Sequence, residues 1–152
     1  MNLLIDTNLL VRLEDTLDAR HPEAMSAIER LKRDGHDGQL VPQVLYEFWV
    51  VATRPVENNG LGLDPPKAED AMRGWVSLFR FRLDERGIFR NWMQLVAAHQ
   101  VRGKTAHDAR LVAAMQRHGL TDILTFNSAD FTRFSGLHVF TPADVLAGGL
   151  PA

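Results

Sequence analysis

The first ten residues, MNLLIDTNLL (Met1–Leu10), set the reading of the whole chain. Leu3, Leu4 and Ile5 form an apolar run suited to a short buried strand, and Leu9, Leu10 and Val11 resume it. Asp6, Thr7 and Asn8 interrupt. In an open parallel sheet, ligands bind beyond the carboxyl ends of the strands. An aspartate that closes a buried strand and opens a helix therefore stands where chemistry is done. Aspartate is also a preferred helix N-cap, and the residue type leaves both readings open.

Outward from Asp6 the pattern alternates between strand and helix. A helix is expected from about Asn8 and a second over Pro22–Arg33, with proline in a first-turn position. Gly35 and Gly38 mark a turn before a short strand, QLVP. Pro42 opens the helix PQVLYEFWVVAT, and RPVENNGLGLDPP reads as a loop. KAEDAMRGWVSLF and GIFRNWMQLVAAHQ are amphipathic helices with RFRL as a short strand between them. TAHDARLVAAMQRHG is a helix stopped by Gly119. DILTF and LHVF are strands around a turn or short helix in SADFTRF, and the tail TPADVLAGGLPA is expected to fray. Strands separated by helices predict an α/β fold, a parallel sheet covered on both faces. The chain has no repeat and no linker, so 1–152 reads as a single domain with 146–152 as its frayed tail.

Composition narrows the function. The 152 residues are 45% hydrophobic and 24% charged with a formal net charge of −2, ordinary values for a globular domain. That balance gives no bulk signature of nucleic-acid binding, although a local basic patch serves equally well. There is no cysteine, which removes disulfides, thiol catalysis and cysteine-ligated zinc. The N-terminus lacks the basic flank of a signal peptide. No apolar run approaches the ~20 residues of a membrane span, so a cytoplasmic location is expected.

Three acids stand out. Glu47 shares the helical stripe Val44, Glu47, Phe48, Val51, and Asp108 shares Asp108, Leu111, Val112, Met115. A carboxylate on an inward stripe is costly unless paired or bound to a cation. A buried ion pair is the plain alternative for Glu47. Thr105-Ala-His-Asp108 approximates a capping box and is the plain alternative for Asp108. Three inward acids near element ends repel one another unless a cation lies among them, and oxygen-only ligands suit Mg²⁺ or Mn²⁺. The six histidines show no HExxH spacing, and neither a phosphate loop nor a GxSxG elbow is present.

LLIDTNLLVRL, the glutamate within VLYEFWVVATRP, and TAHDARLVAAMQRHGLTDILTFNSADF together resemble the motifs of PIN domains, most closely the VapC toxins of bacterial toxin–antitoxin pairs. The resemblance runs from Asn2 to about Val145. It implies a PIN-like three-layer sandwich with strand order 3-2-1-4-5. It implies Asp6, Glu47 and Asp108 as the acids of a Mg²⁺ or Mn²⁺ site, with Asp6 and Asp108 the first-choice ligands and Glu47 a ligand or the group orienting water. Thr7, Asn8 and Thr125 match supporting polar residues. Many PIN domains carry a fourth acid where this chain has Asn127, and Asp130 follows three residues on. Both are catalytic candidates, with Asn127 expected beside Asp6 and a cap of the short FTRF turn as the plain reading of Asp130. The activity implied is metal-dependent endonucleolytic hydrolysis of RNA, with a cognate antitoxin and a homodimeric state as partners. Arg12, Lys104 and Arg110 are candidate phosphate contacts; surface solvation explains them equally well.

Trp75, Phe79, Phe89, Trp92 and Met93 read as core by their helical spacing, or as an exposed groove for a partner. Two other functions compete. A haloacid-dehalogenase-like phosphatase places its second aspartate two residues after the first, where this chain has Asn8. A non-catalytic RNA-binding or interaction module on the same fold would not need the acid set.

Overall fold

Leu3, Leu4 and Ile5 are fully buried and form the centre of a strand, β1 (Asn2–Ile5), with sheet neighbours on both sides. The computed structural model describes residues 1–151. Helices α1 (Thr7–Glu14) and α2 (His21–Arg33) follow β1, then strand β2 (Asp37–Leu40). Helix α3 (Pro42–Thr53) starts at its proline as expected, and a short 3-10 turn covers Val56–Asn58. Helix α4 (Pro65–Leu78), strand β3 (Arg80–Phe81) and helices α5 (Gly87–Ala98) and α6 (Thr105–Arg117) come next. Strand β4 (Asp122–Leu124), a 3-10 turn at Ser128–Phe131, strand β5 (His138–Phe140) and helix α7 (Pro142–Leu146) complete the chain.

The sheet is five-stranded, in the order β3-β2-β1-β4-β5, and every pairing is parallel. This is the expected α/β topology. The chain runs outward from β1 to β2 and β3, then returns through α5 and α6 to place β4 on the other side of β1. Connections therefore leave β1 and β4 in opposite senses, which opens a crevice at their carboxyl ends. Register aligns Ile5 with Leu124, so Asp6 and Thr125 are adjacent as both strands end. The Asp6 amide donates to the Leu124 carbonyl at 3.1 Å and prolongs the ladder into the crevice.

Three expectations need correction. The segment TPADVLAGGLPA is ordered through α7: Thr141 and Asp144 form a complete capping box, and Val145 is buried. Leu150 packs against the core, and Ala152 lies outside the described residues. Apolar anchoring at Val145 and Leu150 overrides the loop-like composition of Gly148 and Gly149. Glu47 lies in the middle of α3 rather than near an element end. The aromatic set splits: Phe79 is buried and Trp75 half-buried, stacked on each other at 6.4 Å. Phe89 is 68% exposed and Met93 48%, while half-buried Trp92 donates its indole N–H to the Ala106 carbonyl at 2.9 Å. Spacing put these residues on amphipathic helices but could not say which turns the sheet would cover.

Candidate active site

Asp6 is the N-cap of α1 and a cleft residue at once. Its side chain is 8% exposed. One oxygen, Oδ1, accepts from the Thr7 amide at 2.7 Å. The other, Oδ2, accepts from Asn8 Nδ2 at 2.7 Å and from the Thr125 hydroxyl at 2.6 Å. Thr125 is saturated, since its oxygen also accepts from Asn8 Nδ2 and from the Asn127 amide, each at 2.9 Å. Asn8 spends its second amide hydrogen on Asp6 and uses Oδ1 to accept from the Phe126 amide at 3.0 Å. The two readings of Asp6 left open by its residue type are thus compatible. The cap fixes the carboxylate, and the strand end aims it into the crevice.

Glu47 is held from two sides. The Thr7 hydroxyl lies 3.0 Å from Glu47 Oε2 and 3.3 Å from the Val44 carbonyl; it carries one proton, and the shorter contact is to the acid. Gln43 Nε2 donates to Glu47 Oε1 and to the His107 carbonyl, both at 2.8 Å. Gln43 is itself buried and accepts from Arg110 Nη1 at 3.1 Å. Glu47 makes no ion pair among the described residues, so the plain alternative of a buried salt bridge is not realised.

Asp108 lies in the first turn of α6, with Leu111, Val112 and Met115 buried behind it. The N-cap is Lys104, without a side-chain cap bond. Thr105 is then the first helical residue, one position too late for the capping box. Asp130 likewise makes no cap: the N-cap of its 3-10 turn is Asn127, with no side-chain bond.

These side chains line one open cleft of about 630 Å³. Its walls include Asp6, Glu47, Asp108, Asn127 and Asp130. Register puts Thr125 directly beside Asp6, and Asn127, whose amide bonds the Thr125 hydroxyl, lines the same cleft from its exposed rim. Arg12 also lines the cleft. Lys104 is exposed outside the lining, though close enough to lower the Asp108 pKa. Arg110 is turned away, bonded to Gln43 and to Asp84 at 3.0 Å, and lines a separate groove with Phe89 and Trp92.

Burial, more than charge crowding, sets protonation in the cleft. Burial pushes the Asp6 carboxyl up from 3.8 to about 6, helped by the charges of Glu47 and Asp108, against the lowering effect of Thr125 and Thr7. Burial also pushes Asp108 up to about 6, aided by Asp130 and Glu47 and opposed by His107 and Lys104. No three described acids or histidines lie close enough to grip a common ion as they stand. The donor set nevertheless fits Mg²⁺, which characteristically takes one or two carboxylates and retains water. The donors are all oxygen, their negative charges raise one another's pKa, and no described cation pairs with any of them.

Gln43, Arg20, Phe126, Asp15 and Asp18 were not anticipated. Gln43 could have been found, because it precedes Glu47 by four residues on the same stripe. Asp15 and Asp18 line the cleft from the α1–α2 connection, where sequence offers no periodicity to place them.

No protein family matches the chain by sequence, and no curated protein does. Solved structures do match. VapBC2 from Rickettsia felis, bound to a DNA fragment of its promoter, superposes with a TM-score of 0.69 at 13% identity, covering 93% of this chain and 98% of that one. A toxin–antitoxin complex from Klebsiella pneumoniae gives 0.63 at 23% identity, covering 92% and 97%. VapC20 of Mycobacterium tuberculosis, described as a sarcin-ricin loop cleaving toxin, gives 0.58 at 20% identity, covering 80% and 86%. The fold is that of the VapC toxins. The expected PIN-like architecture is therefore present over nearly the whole chain.

Proposed function

We propose that this protein is a Mg²⁺- or Mn²⁺-dependent endoribonuclease and the toxin of a toxin–antitoxin pair. The observation that carries the reading is the acid-lined cleft at the carboxyl ends of β1 and β4, where Asp6 and Asp108 are held apart from any cationic partner. Asp6 and Asp108 would hold the cation, with Glu47 beside them. The cation, when bound, polarises the phosphoryl oxygens and acidifies water.

The chain's own residues do the rest. Thr7, Asn8 and Thr125 fix both oxygens of Asp6, so the carboxylate does not reorganise as substrate charge arrives. Gln43 and Thr7 hold Glu47 from opposite sides, which suits it to accept a hydrogen bond from the attacking water. Hydrolysis adds hydroxide to phosphorus and a proton to the departing 3′ oxygen, leaving 5′-phosphate and 3′-hydroxyl ends.

The VapBC complexes among the similar folds support an antitoxin as partner. A groove of about 410 Å³ beside exposed Phe89, lined by Ile88 and Trp92, offers an apolar seat for such a segment. Exposed Tyr46 and Val50, four residues apart on α3, offer an apolar face to a second copy. The described helices include none long and apolar enough to cross a membrane.

The test is induced expression followed by mapping of RNA ends, with purified protein assayed in Mn²⁺ and in chelator. Discrete 5′-phosphate ends that require the metal support the reading. Phosphatase activity on small esters without RNA cleavage, or failure to bind Mn²⁺, overturns it.

A further inference from the structure

The cleft poses an electrostatic problem. Asp6, Asp15, Asp18, Glu47, Asp108 and Asp130 all line it, against Arg12 as the one lining cation among the described residues. An RNA strand is itself anionic, and a single metal ion offsets only part of that repulsion. Positive charge must enter from the rim.

Phe126 supplies the place. It lies between Thr125, which binds Asp6, and Asn127, which lines the cleft. Its amide is fixed by Asn8, the residue that also holds Asp6. Two guanidinium groups lie over its ring, those of Arg12 and Arg20, each 5.3 Å from the centroid. Two like charges on one aromatic ring repel, yet among the described residues neither arginine forms an ion pair. Arg12 spends Nη1 on the Asn8 carbonyl at 3.3 Å, and its Nε is buried with no hydrogen-bond partner. Arg20 is exposed, and its side chain does not cap α2. The ring orients both forks by cation–π attraction, and the exposed fork of Arg20 keeps its donors unspent. A phosphate oxygen is the acceptor such forks match best.

We propose that Arg12, Phe126 and Arg20 form a clamp for an RNA backbone phosphate flanking the one that meets the acids. The assignment rests on the ribonuclease reading and adds the subsite that would hold the strand in register. Asn8 joins the two, since one amide side chain braces both the Asp6 carboxylate and the Phe126 backbone. A phosphate seated on the clamp is thereby placed relative to Asp6 by a single rigid residue.

The experiment is equilibrium binding of a short fluorescent single-stranded RNA to the full chain in chelator, over about 50–200 mM salt, followed by steady-state cleavage in Mn²⁺. Arg20→Ala should weaken binding about tenfold, a typical loss for a charged hydrogen bond. It should also flatten the slope of log affinity against log salt by about 0.7, one phosphate contact on a single strand. Arg20→Lys should keep the slope and lose affinity, because the charge remains while the planar stacked fork does not. In cleavage, Arg20→Ala should raise KM and leave kcat unchanged. Wild-type affinity and salt slope in Arg20→Ala overturn the clamp, as does an RNA that does not bind the wild type. If binding depends on Arg20 but no RNA is cut, the clamp stands and the nuclease reading falls.

Discussion

Asp108→Asn should stabilise the metal-free protein, although it removes a charge from the first turn of a helix. The carboxyl is pushed up to about 6 from the 3.8 of an ordinary aspartate, first by burial and then by Asp130 and Glu47. The native state thus holds this proton more tightly than the unfolded chain does. The resulting penalty is absent below about pH 3.8, grows between there and about pH 6, and is full above it. Each pH unit of such a difference corresponds to about 1.4 kcal/mol. Asp108 is only half-buried, and solvent screening reduces the penalty to about 1 kcal/mol. Attraction to the helix N-terminus opposes this by roughly 0.3–1 kcal/mol.

The amide loses no hydrogen bond, because the carboxylate makes none to a described residue. Thermal melts in chelator should place Asp108→Asn at or about 2 °C above wild type at pH 8, since 1 kcal/mol moves a domain of this size by about 2–4 °C. The gain should vanish near pH 4. Mg²⁺ should raise the wild-type melting temperature by binding only the native state, and raise the variant's less. A chelated variant clearly less stable than wild type at pH 8, with an unchanged Mg²⁺ response, would refute the electrostatic account and return Asp108 to a helix-end role.

Asp6→Asn and Glu47→Gln should each abolish Mn²⁺-dependent RNA cleavage while circular dichroism reports a folded chain; wild-type rates in either would remove that residue from the site. Asp6→Asn should also cost about 1–3 kcal/mol, because an amide has a single acceptor atom: with its oxygen facing Asn8 and Thr125, its NH2 faces the Thr7 amide that Oδ1 now accepts from; an unchanged melt would show the network to be slack. Asn127→Asp should tighten Mn²⁺ binding in calorimetry by adding a carboxylate to the cleft rim, and no change would mean that the rim position does not reach the cation. Gly60→Ala should destabilise by about 1–3 kcal/mol, since its Cβ would sit 2.0 Å from the Arg54 carbonyl oxygen; a neutral urea midpoint would show that the loop yields.

What the sequence determined alone is local in origin. An apolar triplet ended by Asp6 marked a short buried strand with an acid at its carboxyl end, and the resemblance to PIN domains placed that strand centrally. Helical stripes carried Glu47 and Asp108 inward because side chains three and four apart share a face. Prolines at 22 and 42 marked helix starts through their fixed backbone angle and missing donor, whereas Pro65, read as loop, proved to open α4. Tertiary structure decided whatever depends on distant segments meeting. The pairing of Ile5 with Leu124 gave Thr125, rather than Asn127, to Asp6. The burial of Val145 turned the C-terminal tail into α7. Gln43 became the brace of Glu47 only because α6 brought the His107 carbonyl and Arg110 to it. Arg12 and Arg20 met on Phe126 across more than a hundred residues of chain. Periodicity within one element carries no information about such meetings. They are fixed by sheet register and crossover packing, which the chain acquires only when its distant apolar faces are buried together.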